Sequence, residues 1–155
     1  MAQITSPETT EQCDAARSLF LEYADSLGFD LGFQQFDQEM ARFPADYRPP
    51  NGTLLLAEVQ GEAVGCVGVR RFDEESCEMK RLYVRVAYRG AGLGRLLAQA
   101  AVETGRELGY KRMRLDTLAT MKEATALYRS MGFVPIEAYR DNPLPGASFM
   151  ELALL

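Results

Sequence analysis

The stretch that decides the fold is Tyr88-Arg89-Gly90-Ala91-Gly92-Leu93-Gly94, a glycine-rich turn. Before it, residues 77–86 have the composition of a long strand. After it, leucine and alanine recur every three or four residues, which predicts an amphipathic helix of about four turns that ends at Gly109. The chain is therefore expected to pass from a strand, through this turn, directly into a helix.

The glycines suit this turn to close contact with a ligand. Because glycine has no Cβ, backbone N–H groups can turn inward and approach a bound group. The start of the following helix adds unpaired N–H groups and the positive end of the helix dipole. With Arg89 and Arg95 as flanking cations, these features indicate a cradle for a pyrophosphate. A tight turn with only a structural role is the alternative interpretation.

Periodicity and turn residues predict the other elements. A first helix is expected to begin at Ser6 and Pro7 and to end near Gly28, and Gln60-Gly61 fits a tight hairpin turn. Further helices are predicted over residues 33–43 and 120–131, and strands around Ile4 and over residues 53–59, 63–72, 77–86, 111–117, 133–136 and 148–154. An antiparallel meander followed by alternating helices and strands predicts a mixed α/β (α+β) fold, with residues 1–155 as one domain.

Composition restricts the class of protein. The chain has 155 residues, of which 47% are hydrophobic and 25% charged, as in an ordinary globular domain. It has no histidine and only three cysteines, without C-x-x-C spacing, so no metal site is expected. No apolar run approaches the ~20 residues that cross a bilayer, and the first residues do not resemble a signal peptide. We therefore expect a cytoplasmic protein without a membrane partner.

The net charge of −5 is unevenly distributed. Residues 1–79 contain 15 acidic and 5 basic residues, whereas residues 80–155 contain 7 acidic and 12 basic residues. An acidic chain argues against a nucleic-acid partner. Between Glu78 and Glu103 there are five basic residues and no acidic one, which fits a small anionic ligand. A solvated basic surface is the alternative.

Two nucleotide-binding patterns fit the turn poorly. A Rossmann fingerprint requires G-x-G-x-x-G, but Arg95 occupies the place of the third glycine. A P-loop requires G-K-[ST] after its second glycine, and the chain has Gly94-Arg95-Leu96. Binding of a nucleotide such as NAD stays open as a weaker interpretation.

Three segments together resemble the GNAT superfamily of N-acetyltransferases. Arg89 to Gly94 is similar to its R/Q-x-x-G-x-G/A signature, and residues 78–84 look like its fourth strand. Residues 124–133, ATALYRSMGF, resemble its A-x-x-L-Y-x-x-x-G-F pattern. The order and spacing of these segments match the family over residues 53–154. The resemblance implies a mixed, mostly antiparallel central sheet flanked by helices and split between its fourth and fifth strands.

The resemblance also implies acetyl-CoA as co-substrate, without a metal. The strand residues Leu82, Tyr83 and Val84 would then contact the pantetheine arm through the backbone. The pyrophosphate would be held by the turn and helix start, at Arg89, Gly90, Ala91, Gly92, Leu93, Gly94 and Arg95. Family relatives often carry an asparagine where this chain has Met121, so that contact would be lost or made by Thr117 or Thr120.

The same resemblance implies two catalytic residues. Tyr128 would protonate the departing CoA thiolate, and Glu78 would take a proton from the acceptor amine. Packing under the sheet is the alternative for Tyr128, and a surface position at the end of a hairpin is the alternative for Glu78. Cys66 and Cys77 are expected to be buried apolar residues rather than nucleophiles, so the amine would attack directly.

The acceptor is less determined than the donor. A primary amine of a small molecule or amino acid is the first interpretation, and a protein N-terminus or lysine the second. A non-catalytic acyl-CoA-binding module and a homodimer also stay open. The acidic N-terminal half favours a cationic amine. Candidate residues to orient the acceptor are Arg48, Tyr139, Arg140 and Asn142.

Overall fold

The protein is a seven-stranded sheet with helices on both faces, seen in a computed structural model that describes residues 2–28, 31, 35–144 and 146–155. The strands are β1 (Ala2–Thr5), β2 (Thr53–Val59), β3 (Glu62–Arg71), β4 (Ser76–Val84), β5 (Arg112–Thr117), β6 (Val134–Ile136) and β7 (Ser148–Ala153). The helices are α1 (Thr10–Ser26), α2 (Phe36–Ala41), α3 (Leu93–Glu107) and α4 (Lys122–Ser130), with short 3-10 turns at Ala45–Tyr47 and Val86–Tyr88. Within these described ranges, no helix is both long and apolar enough to cross a bilayer.

The sheet confirms the predicted fold class and its split. The strand order is β1-β2-β3-β4-β5-β7-β6, and every neighbouring pair is antiparallel except β4 and β5. These two parallel strands pair only over their first three residues, from Ser76 opposite Arg112 to Glu78 opposite Arg114. Beyond that point they are not hydrogen-bonded, which leaves a gap in the middle of the sheet.

Two apolar layers cover the two faces of the sheet. Side chains alternate along each strand, so neighbouring residues such as Leu55 and Leu56 enter opposite layers. One layer lies under α3 and α4 and includes Leu97 and Met113, which are fully buried. The other layer lies under α1 and α2 and includes Phe20. The gap between β4 and β5 therefore lies between helices on both sides.

The first helix begins later than predicted. Thr9, rather than Ser6, caps α1: its hydroxyl accepts a hydrogen bond from the Gln12 N–H, and the Gln12 side chain accepts one from the Thr9 N–H. This reciprocal capping box stabilises the start of the helix at Thr10. Pro7 therefore lies before the helix and not in its first turn.

The second helix is shorter than the predicted residues 33–43. It spans Phe36–Ala41, because Gln35 has a left-handed backbone (φ 57°) and Arg42 leaves the helical region. Phe33, which the prediction included, lies outside the described residues. The hairpin turn predicted at Gln60-Gly61 is confirmed, since both residues have the positive φ that such a turn requires.

Candidate active site

The gap between β4 and β5 opens into a cavity of about 750 Å³. The second half of β4 forms one wall, the glycine-rich turn forms one end, and α4 lies opposite. Of the residues predicted to bind the cofactor, eight line this cavity: Leu82, Tyr83, Val84, Arg89, Gly90, Gly92, Leu93 and Gly94. Ala91 and Arg95 do not line it. The fold therefore brings eight of the ten predicted residues, which lie between Leu82 and Arg95, to the lining of one cavity.

The geometry of the turn fits a pyrophosphate. Gly92 is the N-cap of α3 with φ 82°, and no side chain caps this helix. A Cβ placed on Gly90, Gly92 or Gly94 would have no atom within 4 Å, so the space above the turn is open. The positive end of a 15-residue helix thus faces a cavity with room for an anion.

The two flanking arginines have structural contacts of their own. Arg89 donates from Nε to the Val84 carbonyl at 2.7 Å, and its guanidinium lies 5.7 Å from the centre of the Tyr83 ring. Arg95 donates to the Ser130 hydroxyl at 3.0 Å and so connects α3 to α4. Arg89 lines the cavity while also fixing the end of β4, whereas Arg95 is directed toward α4.

Tyr128 lies on α4 and lines the same cavity. Its ring packs on Phe133 at 5.7 Å, and only 8% of the residue is exposed. Burial raises the pKa of the phenol, so the hydroxyl keeps its proton at neutral pH. Tyr128 therefore packs against Phe133 and also lines the cavity. Met121, Thr117 and Thr120 also line this part of the cavity.

Glu78 is not the surface residue that the alternative interpretation supposed. It is 1% exposed, and one carboxylate oxygen accepts a hydrogen bond from Arg70 while the other accepts from Tyr139 and Arg140. Burial alone would raise its pKa, but Lys80, Arg70 and Arg140 hold the pKa at about 2. Glu78 also lies outside the lining of the main cavity.

This environment argues against the predicted role of Glu78 as general base. A carboxyl group with a pKa of about 2 is far too weak to take a proton from an ammonium near neutral pH. Its two oxygens already accept three hydrogen bonds, which fixes Arg140 and Tyr139 against β4. Glu78 is therefore held as an anion in the folded protein, with Tyr139 and Arg140 among its hydrogen-bond partners, and its catalytic role stays a prediction.

A buried charged layer continues along β4 from Glu78. Arg81 has φ 60°, unusual for a strand residue. The side chains of Lys80 and Arg81 are both buried, the first paired with Asp116 at 3.4 Å and the second with Glu39 at 3.0 Å. Burial, and the neighbouring Arg81, lower the pKa of Lys80 to about 8, although Asp116 opposes this shift. Lys80, Arg81 and Asp116 all line the main cavity.

Sequence reasoning identified part of this layer and missed part. Tyr139 and Arg140 contact Glu78, and Asn142 donates to Asp116 at 3.2 Å, so these acceptor candidates gather beside β4. Neither Glu39 nor Asp116 was predicted as a site residue from the sequence. The available signal was a charged residue next to an apolar one, Glu39 beside Met40 on α2 and Asp116 beside Leu115 on β5, since buried charges are rare unless paired.

Comparison with known proteins agrees with this architecture. The model of the acetyltransferase (GNAT) family matches residues 14–133. An uncharacterized N-acetyltransferase of Schizosaccharomyces pombe is 41% identical over 153 residues, which cover 97% of this chain and 94% of that protein. The chain belongs to the GNAT family of acetyltransferases.

Two other comparisons extend this result. A putative acetyltransferase of Salmonella typhimurium, solved with its cofactor acetyl-CoA, has the same fold: the TM-score is 0.74 at 21% identity, with 99% of this chain and 94% of that one covered. The N-acetylaspartate synthetase of Danio rerio is 33% identical over 110 residues, which cover 70% of this chain but 39% of the synthetase. This GNAT protein therefore shares its core with enzymes that differ in total length.

Proposed function

We propose that this GNAT acetyltransferase moves an acetyl group from acetyl-CoA to a primary amine of a small molecule or amino acid by direct attack. The observation that carries the proposal is one cavity that joins the open glycine turn to Tyr128 and to the Lys80–Asp116 pair. None of the three cysteines lines this cavity, and burial raises the pKa of Cys66 and Cys77. A covalent acyl-cysteine therefore has no support at this site.

The donor end of the cavity suits acetyl-CoA. The backbone from Leu82 to Val84 would hold the pantetheine arm, and the turn from Gly90 to Gly94 would hold the pyrophosphate at the positive end of α3. When bound, acetyl-CoA supplies the reactive thioester. Among the described residues, none outside the turn comes within 4 Å of a Cβ built on these three glycines, which leaves room for it.

Tyr128 acts as the general acid in this proposal. The neutral amine attacks the thioester carbonyl, a C–N bond forms, the C–S bond breaks, and the attacking nitrogen releases its extra proton to solvent. Tyr128, whose phenol burial keeps protonated, donates a hydrogen bond to the departing sulfur and shares its proton as negative charge develops there. The phenol recovers a proton from solvent before the next turnover.

Lys80 receives the proton that the acceptor loses. It lines the cavity beside Asp116, whereas Glu78 does not line it. With a pKa of about 8, the Lys80 amine is neutral in a useful fraction of molecules near neutral pH and can accept a proton from an ammonium. Burial lowers that pKa most, Arg81 lowers it further, and Asp116 and Glu78 oppose the shift.

A small acceptor is favoured by the relatives. N-acetylaspartate synthetase, by its name, makes an acetylated amino acid, and its similarity to this chain supports an acceptor of that size. The charged layer beside β4 also supplies groups that could orient a polar acceptor, among them Tyr139 and Asn142.

The proposal is tested by an acceptor screen that follows release of the CoA thiol. Amino acids, polyamines, aminoglycosides and peptides are each offered with acetyl-CoA, and binding of acetyl-CoA, CoA, NAD and ATP is measured by thermal shift. A ligand present at 100 times its dissociation constant stabilises the fold by ~2.7 kcal/mol. Stabilisation by NAD alone, or no thiol release with any amine, would contradict the proposal.

A further inference from the structure

A second cavity, of about 570 Å³, lies beside the first and is rich in arginine. The charged residues in its lining are Arg48, Arg70, Arg71, Arg140, Asp46 and Glu78. Both carboxylates already have partners, because Asp46 is paired with Arg42 at 2.8 Å and Glu78 binds two of the arginines. The lining described here is therefore cationic, with four arginines against two committed carboxylates.

Arg140 has an unsatisfied donor in this cavity. One terminal nitrogen donates to Glu78, but Nε is buried, and no described group accepts a hydrogen bond from it. Its guanidinium is held over the rings of Tyr139 at 5.2 Å and Phe72 at 5.9 Å, so it cannot easily turn away. A buried donor without an acceptor is costly, so the Arg140 guanidinium is incompletely paired beside the cavity that it lines.

Two further arginines form the rim. Arg48 and Arg71 are exposed, and neither makes an ion pair with any carboxylate of the described chain. Arginine presents a planar fork of donors that matches a carboxylate. The two rim arginines and Arg140 thus present guanidinium groups to the same cavity.

The second cavity is close to the reacting end of the first. Glu78 lines the second cavity and Lys80 lines the first, and these residues are two positions apart on β4. A strand advances about 3.3 Å per residue, so the two points are separated by roughly 7 Å along β4. The arginine-lined cavity is therefore close enough to the amine end of the site to act on the charge of the acceptor.

We propose that the arginine-lined cavity binds a carboxylate of the acceptor, so that the preferred acceptor is an anionic amine such as an acidic amino acid. The inference rests on the proposed function for the amine end of the site. It reverses the sequence-based expectation of a cationic amine, because the acidic residues of 1–79 that line this cavity, Asp46 and Glu78, are both already paired with arginines. The local arginines, rather than the net charge, determine which acceptor is attracted.

The test compares acceptors that differ only in one charge. Aspartate and asparagine are matched in size, as are glutamate and glutamine. We expect kcat/KM for the acidic member to exceed that for its amide by about tenfold to a hundredfold, the range for a charge-assisted hydrogen bond. Cationic diamines should be poorer still.

Variants of the lining residues test whether the preference for an acidic acceptor arises from the arginine-lined cavity. Arg71→Gln removes a rim cation that holds no structural ion pair, and it should lower kcat/KM for aspartate about tenfold while leaving that for asparagine nearly unchanged. Arg140→Lys keeps the charge but loses the fork; because Arg140 also pairs with Glu78, it should lower kcat/KM for both acceptors, and for aspartate more than for asparagine. Arg17→Gln, at another exposed arginine on α1, is the matched control and should change neither.

A binding measurement separates this inference from the proposed activity. Succinate, a dicarboxylate without an amine, should bind the wild-type protein by calorimetry and bind Arg71→Gln about tenfold more weakly. If no amine is acetylated but succinate binds in this way, the proposed activity fails and the anion site stands. Equal kcat/KM for aspartate and asparagine, a preference for diamines, or succinate binding that Arg71→Gln does not weaken would overturn the anion site.

Discussion

Replacing Glu78 with glutamine should destabilise the fold and lower activity without changing how activity depends on pH. The glutamine keeps the shape of the side chain but removes the negative charge that faces Arg70 and Arg140. Those two guanidinium groups would then lack their charged partner within a buried layer. Both effects follow from Glu78 being a positioning anion and not a base.

The magnitude follows from the pKa of the carboxyl group. Its pKa is about 2 in the folded protein against an ordinary value of 4.5. At 1.36 kcal/mol per unit, the folded environment favours the charged form by about 3 kcal/mol. Since the folded pKa is the lower one, this stability is present above pH 4.5 and is lost as the pH falls toward 2. Removing one partner of a buried pair costs about 3–5 kcal/mol, which agrees with this value.

Urea unfolding of Glu78→Gln and wild type at pH 7, and again at steps down to pH 3, measures this loss. We expect the free energy of unfolding to be about 3 kcal/mol lower in the variant at pH 7, with the difference shrinking below pH 4.5. Glu75→Gln is the control, because Glu75 is exposed and pairs with Lys111 at the surface, and its stability should not change measurably.

Activity measurements decide between the two roles. A positioning anion predicts that kcat/KM of Glu78→Gln falls by a similar factor from pH 6.5 to 9, since Glu78 does not titrate in that range. A variant of unchanged stability whose activity recovers at high pH would refute this reasoning and restore Glu78 as the base.

The remaining predictions concern the main cavity. Gly94→Asp should weaken acetyl-CoA binding, measured by calorimetry, at least tenfold with an unchanged melting temperature. Gly94 is chosen because it is helical and has space for a side chain, whereas the φ of Gly92 would strain any substitute. Unchanged affinity would mean that the turn is purely structural. Tyr128→Phe should lower kcat by ~10²–10⁴-fold with cofactor affinity retained, whereas Tyr110→Phe, outside the cavity, should leave kcat unchanged; a normal kcat would leave Tyr128 only a packing role. Lys80→Met should abolish the rise of kcat/KM with pH near 8. If kcat/KM of the variant still rises near pH 8, the group that titrates is the acceptor amine instead.

The parts of the site that could be predicted from sequence are those that local geometry determines. The glycine turn, with its uncapped helix start, lies within a few residues of chain, and the positive φ of Gly92 is a property of its own backbone. Helix α1 shows the limit of such reasoning: its start was predicted at Ser6, three residues before the actual N-cap. The reciprocal bonds of Thr9 and Gln12 place the cap at Thr9.

The order of strands and helices, the glycine turn from Gly90 to Gly94 and the position of Tyr128 on α4 follow from local sequence, because periodicity, backbone freedom and motif spacing are encoded by neighbouring residues. Only the tertiary structure decided the state of Glu78. Its partner Arg70 lies 8 residues before it, and its partners Tyr139 and Arg140 lie 61 and 62 residues after it. No local sequence pattern predicts these contacts. Folding buries these charges together, and burial with opposite charges turns a surface-like glutamate into a fixed anion with a pKa of about 2.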